Sequence, residues 1–128
     1  MTSAPATPRD VRVAILGCGN VGAALVGILG DRADALSVQS GARFVISGIA
    51  VTDLGTERPA HVPRGLLTDD AAGLVADPDV DIVVELIGGR EPAGSLVRAA
   101  LDAGRPVVTA NKALLASPDG VALRTLAR

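Results

Sequence analysis

Apolar positions along this chain alternate between two periods. VRVAILG, residues 11–17, is a short continuous apolar run closed by glycine, as expected of a strand buried on both faces. Behind it Val21, Leu25, Ile28, Leu29 and Leu36 recur at helical spacing and predict one helix from Asn20 into the mid-thirties. Gly27 and Gly30 weaken that helix, and a backbone packed close to a sheet would account for them. SVQSGA reads as a loop, and ARFVISGIAV (42–51) as a second strand rich in β-branched residues. TDLGTERPAHVPRG (52–65) is a turn-rich connection. It leads to a very short strand at Leu66–Leu67 and a helix capped by Thr68 or Asp69.

VDIVVELIGG (80–89) is the next buried strand and again ends in glycines. Leu96, Val97, Ala100 and Leu101 then share one helical face, with Pro92 early and Gly104 as the stop. RPVVTAN (105–111) is a further strand, and from Ala113 onward the pattern is helical, with a break at Ser117–Pro118–Asp119. Strands and helices alternate without internal repeat or linker. That pattern predicts an α/β fold, a Rossmann-like doubly wound parallel sheet in three layers, α/β/α. Residues 1–10, MTSAPATPRD, read as a loose tail and residues 11–128 as one domain. In such sheets ligands sit beyond the carboxyl ends of the strands. Three endings gather there: GCGNVG, IGG and TANK.

Composition narrows this picture. The chain has 128 residues, enough for one ordinary domain, and Phe44 is its only aromatic, so Val, Ile, Leu and Ala must build the core. A net charge of −2 with no basic stripe and no Tyr or Trp argues against nucleic acid as a partner. No charged residue lies between Val13 and Gly30, which raises a membrane helix. Five glycines and Asn20 in that stretch are better explained by a strand, a turn and a helix. Cys18 is alone, which excludes an internal disulfide and fits a cytoplasmic protein.

The chemistry lies at the strand ends. Gly17-Cys18-Gly19-Asn20-Val21-Gly22 is a G-x-G-x-x-G between strand and helix. Gly17 permits the tight turn, Gly19 admits a pyrophosphate to the backbone, and Gly22 lets helix and strand pack closely. Cys18 is read as a small packing residue, since His61 is the only histidine and is distant in sequence. Val51, Thr52 and Asp53, at the end of the second strand, should face the adenosine ribose. Asp53 follows Gly22 by 31 positions, where an interval of about 20 is usual. An acid there binds a 2′-hydroxyl and disfavours a 2′-phosphate, yet Thr52 accepts either, and Arg58 or Arg64 could meet a phosphate. The bland alternative is that Asp53 only starts a turn. NAD versus NADP stays open.

Glu85, flanked by apolar residues, either accepts bonds from backbone amides or points into the cleft, and the structural role is preferred. Gly88 and Gly89 leave room for the nicotinamide or its ribose. Lys112 is the only lysine in a chain that otherwise uses arginine. A compact ammonium differs from a guanidinium in being a point charge whose pKa falls when buried, which places Lys112 in the substrate–cofactor cleft. No metal-ligand pattern is present.

VAILGCGNVG, LLTDD, VDIVVELIGG and VVTANKALLA, in this order and spacing, resemble the N-terminal cofactor domain of homoserine dehydrogenase, over nearly everything from Val11 to Arg128. The resemblance implies a Rossmann domain binding NAD(P). It also implies an oxidoreductase that interconverts L-homoserine and L-aspartate 4-semialdehyde in threonine, methionine and isoleucine biosynthesis. On this chain it makes Asn20 and Val21 cofactor contacts and sets Thr109, Ala110 and Asn111 on the nicotinamide side. Lys112 matches a catalytic lysine near nicotinamide and substrate. Many members carry an arginine after the second strand that meets the 2′-phosphate; here that residue is Thr52. The family's substrate-binding and dimerising part, with a second lysine and acidic residues, follows this domain. These 128 residues are therefore expected to bind cofactor without turning over homoserine, and the complete enzyme is expected to be a homo-oligomer. The alternatives are a stand-alone, non-catalytic dinucleotide module, or the cofactor domain of another amino-acid or semialdehyde dehydrogenase.

Overall fold

The computed structural model describes residues 9–109. Its centre is a five-stranded, wholly parallel sheet: β1 (Arg9–Leu16), β2 (Ala42–Ala50), β3 (Leu67–Thr68), β4 (Ile82–Glu85) and β5 (Val107–Thr109). The spatial order is β3-β2-β1-β4-β5. The order therefore reverses between β1 and β4, the switch point at which open α/β sheets form a crevice. The expected fold class is the observed one.

Each face of the sheet carries its own apolar layer. On one face Val13, Ile15, Ile49 and Val51 pack with Ala23 and Val26 of α1 (Asn20–Asp31) and with Val62 of the loop after β2. On the other, Ala14, Leu16, Ala50 and Val83 pack with Val75 of α3 (Ala71–Ala76) and with Leu96 and Ala100 of α4 (Ala93–Asp102). Ile15, Leu16, Ile49 and Val83 are wholly buried, each worth about 1.5–3 kcal/mol. Alternate residues of β1 thus serve opposite layers, which is why VRVAILG is apolar without interruption.

Several boundaries differ from expectation, each for a local reason. Arg9 and Asp10, expected in the tail, are the first residues of β1, where Asp10 forms an ion pair with Arg43 across the strands at 2.9 Å. The single long helix is two: α1 ends at Asp31, Arg32 with a ψ of 19° leaves the helical range, and α2 (Ala33–Ser40) follows. No residue of α2 is fully buried, so little apolar contact holds it in line with α1. The cap of α3 is Asp70, one residue beyond the expected pair, with its Oδ1 accepting from Gly73 N at 2.9 Å. Gly27 faces His61 and not the sheet: His61 Nε2 donates to Ala23 O at 2.8 Å, and a Cβ on Gly27 would lie 3.4 Å from that nitrogen. The β1–β2 register slips between Val13 and Ala14, leaving Ser47 as a bulge and turning Gly48 onto Leu74. The helix expected from Ala113 lies outside the described residues. No helix among the described residues is long and apolar enough to cross a membrane.

Candidate functional site

The carboxyl ends of the five strands lie in one register row: Thr68, Ala50, Leu16, Glu85 and Thr109 are successive neighbours across the sheet. The glycine turn rises from the middle of that row. Gly17 N donates to Ala50 O, and Leu86 N donates to Leu16 O, both at 2.8 Å, so the turn is tied to the strands on either side.

The three glycines of the motif meet different constraints. Gly17 has φ +98°, and a Cβ there would lie 3.0 Å from the Leu86 carbonyl. A Cβ on Gly22 would come 2.6 Å from Gly17 O. These two are required by the fold itself. A Cβ on Gly19 would meet no atom of the described residues within 4 Å, so these leave open space over that residue. Gly19 is also the N-cap of α1, and no side chain caps the helix. The first helical bond of this turn runs from Ala23 N to Gly19 O. The preceding amides, on residues 20–22, and the positive end of the helix dipole remain for an anion. Asn20 and Val21 stand exposed beside them, Val21 at 65%. The free amides and the dipole suit this cradle to the charge of a pyrophosphate. Cys18 packs against the α1-side core, as a small packing residue should.

At the end of β4, Glu85 is buried and the only charged side chain so placed among the described residues. Its Oε2 accepts from Ile87 N at 3.0 Å and Gly88 N at 3.3 Å, and its Oε1 accepts from Thr109 Oγ1 at 3.0 Å. The structural reading of Glu85 holds. Gly88 and Gly89, at φ +82° and +71°, complete an exposed turn in a conformation that side chains resist. Thr109 stands at the end of β5 on the same row. Ala110, Asn111 and Lys112 lie outside the described residues.

Beyond β2, Val51 is buried in the α1-side layer while Thr52 and Asp53 are exposed. Asp53 Oδ1 accepts from Gly55 N at 2.8 Å, the turn-starting role weighed from the sequence. That bond, followed by the one from the Thr56 side chain, holds the Asp53 carboxyl below its ordinary value. Arg58 closes the same loop, with Nη2 donating to Asp53 O at 2.8 Å and Nη1 to Thr56 O at 3.1 Å. Its guanidinium is turned to the loop carbonyls, and with Arg64 it lines a cavity of about 680 Å³ bounded by residues 56–67. The strand ends thus bring together Gly17, Gly19, Gly22, Glu85, Gly88 and Thr109, with the Asp53 loop beside them.

Two contributions escaped sequence reasoning. The strut from Glu85 to Thr109 depends on the β4–β5 register, which residue spacing does not reveal. The His61 contact joins positions 38 residues apart; a glycine at an otherwise favourable helical position was its only trace.

A family model described as homoserine dehydrogenase, NAD binding domain, matches residues 17–128. The homoserine dehydrogenase of Mycobacterium tuberculosis (strain H37Rv) is 48% identical over 116 residues, 91% of this chain and 26% of that protein. That of Bacillus subtilis is 41% identical over 108 residues, 84% of this chain and 25% of its own length. Among solved structures, Staphylococcus aureus homoserine dehydrogenase superposes with a TM-score of 0.86 at 34% identity, covering 93% of this chain and 30% of that one. The Thiobacillus denitrificans enzyme gives 0.84 at 38% identity, covering 93% and 27%. The chain thus spans about a quarter of the length of the curated relatives it matches. It belongs to the family of homoserine dehydrogenase NAD-binding domains.

Proposed function

We propose that the protein carrying this chain interconverts L-homoserine and L-aspartate 4-semialdehyde by hydride transfer, as an enzyme of threonine, methionine and isoleucine biosynthesis in the cytoplasm. The observation that carries this reading is the cradle over Gly19 at the end of β1, beside the Gly88–Gly89 turn after β4 and Thr109 at the end of β5, in a chain of this family. When bound, NAD(P) supplies the hydride acceptor or donor.

The chain's residues hold and orient. The amides from Gly19 to Gly22 and the α1 dipole take the pyrophosphate, with Asn20 and Val21 alongside. Val51, Thr52 and Asp53, with Arg58, take the adenosine ribose. Gly88, Gly89, Thr109, Ala110 and Asn111 form the nicotinamide side, and Lys112 holds the substrate oxygen that gains or loses a proton. The NAD(P)-binding domain begins at Arg9, the first residue of β1, and takes in the chain to residue 128. The second lysine and the acids that the family uses for homoserine are supplied from outside these residues, in an enzyme that works as a homo-oligomer. The ionised Asp53 favours a 2′-hydroxyl, while Arg58 and Arg64 favour a 2′-phosphate.

Titration of NADH and NADPH against the 128-residue chain, beside a homoserine oxidation assay of the chain and of the complete protein, tests this. Cofactor binding by the chain and turnover only by the complete protein are expected. Binding without turnover in either would favour a non-catalytic module, and absence of binding would remove the cofactor reading.

A further inference from the structure

Glu85 is an expensive residue to bury. An ionised carboxylate with no solvent contact is tolerated only when hydrogen bonds replace its hydration. Here three donors do so, and they come from two neighbouring strand ends: Ile87 N and Gly88 N from the turn after β4, and the hydroxyl of Thr109 from the end of β5. The core contact could be served by an apolar residue, because Leu16, the β1 neighbour of Glu85 in register, is wholly buried on the row. What an apolar residue cannot do is fix the turn against β5.

We infer that Glu85 is a positioning residue that sets the spacing between the Gly88–Gly89 turn and Thr109. On this inference it governs how tightly the nicotinamide half of the cofactor is held, while the adenosine diphosphate half is held independently. The inference rests on the cofactor reading above. It follows from the layout of the bonds. The pyrophosphate cradle is built by Gly17, Gly19 and the first turn of α1, and none of these residues bonds to the Glu85 side chain. Gly17 N and Leu86 N are tied to strand carbonyls, so the cradle keeps its shape when the strut is altered. The turn is different. Gly88 and Gly89 both sit at positive φ, and a Cβ built on either meets no atom of the described residues within 4 Å. The carboxylate holds that turn through the amides of Ile87 and Gly88.

Two substitutions separate reach from charge. Glu85→Asp keeps the carboxyl group and shortens the side chain by one methylene, so it cannot span from the turn to Thr109. Glu85→Gln keeps the length: its oxygen accepts from the two amides while its nitrogen donates to Thr109 Oγ1. Each variant of the complete protein would be titrated with NADH or NADPH, whichever the parent prefers, and with the matching nicotinamide-free probe, ADP-ribose or 2′-phospho-ADP-ribose. Glu85→Asp should weaken the dinucleotide about tenfold or more, leave the nicotinamide-free probe within about twofold, and keep a cooperative melt. Glu85→Gln should restore dinucleotide binding to within about threefold of the parent. Equal losses for both probes, no loss for either, a larger loss in Gln than in Asp, or failure of Glu85→Asp to fold would each overturn the inference. A parent protein that binds neither probe would instead overturn the cofactor reading itself.

Discussion

At the scale of single residues, the glycine motif separates requirements of the fold from requirements of a ligand. Gly22→Ala would drive a Cβ to 2.6 Å from Gly17 O. It should cost about 1–3 kcal/mol in thermal or denaturant unfolding, as overpacking does. Gly17→Ala, forced to keep φ near +98° against the Leu86 backbone, should cost a similar amount. The sequence motif named both positions correctly but could not rank them by contact. Asp53 supplies a pH prediction. Its folded value is depressed, so the stabilisation of the 53–56 turn is fully present above its ordinary value of 3.8 and is lost as pH falls through the lower folded value. Carboxyl NMR should place its midpoint below 3.8, with the Gly55 amide moving in step. Asp53→Asn retains the acceptor for Gly55 and removes the charge, so the ratio of NADPH to NADH affinity should rise several-fold.

At the scale of elements, the periodicities located all five strands and the helices between them, because each element buries one or two apolar faces and those faces are written in the sequence. The ends were less legible. The break at Arg32 is a question of how far apolar contact extends, and α2 simply has too little of it. The Ser47 bulge shifts the phase of β2, a change that an uninterrupted run such as FVISGIAV conceals. Three substitutions check these points by unfolding. Gly30 lies within α1 at ordinary φ with nothing within 4 Å of a new Cβ, so Gly30→Ala should stabilise by about 0.5–1 kcal/mol. Ile15, wholly buried in β1, should cost about 2–5 kcal/mol as Ile15→Ala. Ile28→Ala, at a side chain 50% exposed on α1, should stay within about 0.5 kcal/mol.

At the scale of the whole molecule, the parallel order β3-β2-β1-β4-β5 determines where function can lie. It brings residues from positions 17 to 109 onto one edge, and the sequence foresaw that edge because three of its runs end in glycine or polar residues. What the sequence could not foresee was the cross-strand bonding beneath the edge, since Glu85 and Thr109 meet only through register. The central claim is that this edge holds a dinucleotide at Gly19. The most direct test is calorimetric titration of NADH and NADPH against the parent protein and Gly19→Ser, with melting followed in parallel. Serine is a good helix N-cap and finds open space at this position, so Gly19→Ser should melt at or slightly above the parent temperature. Its side chain would fill the pyrophosphate approach, so dinucleotide affinity should fall by more than about tenfold. Unchanged affinity in Gly19→Ser, or no binding by the parent, would contradict the account.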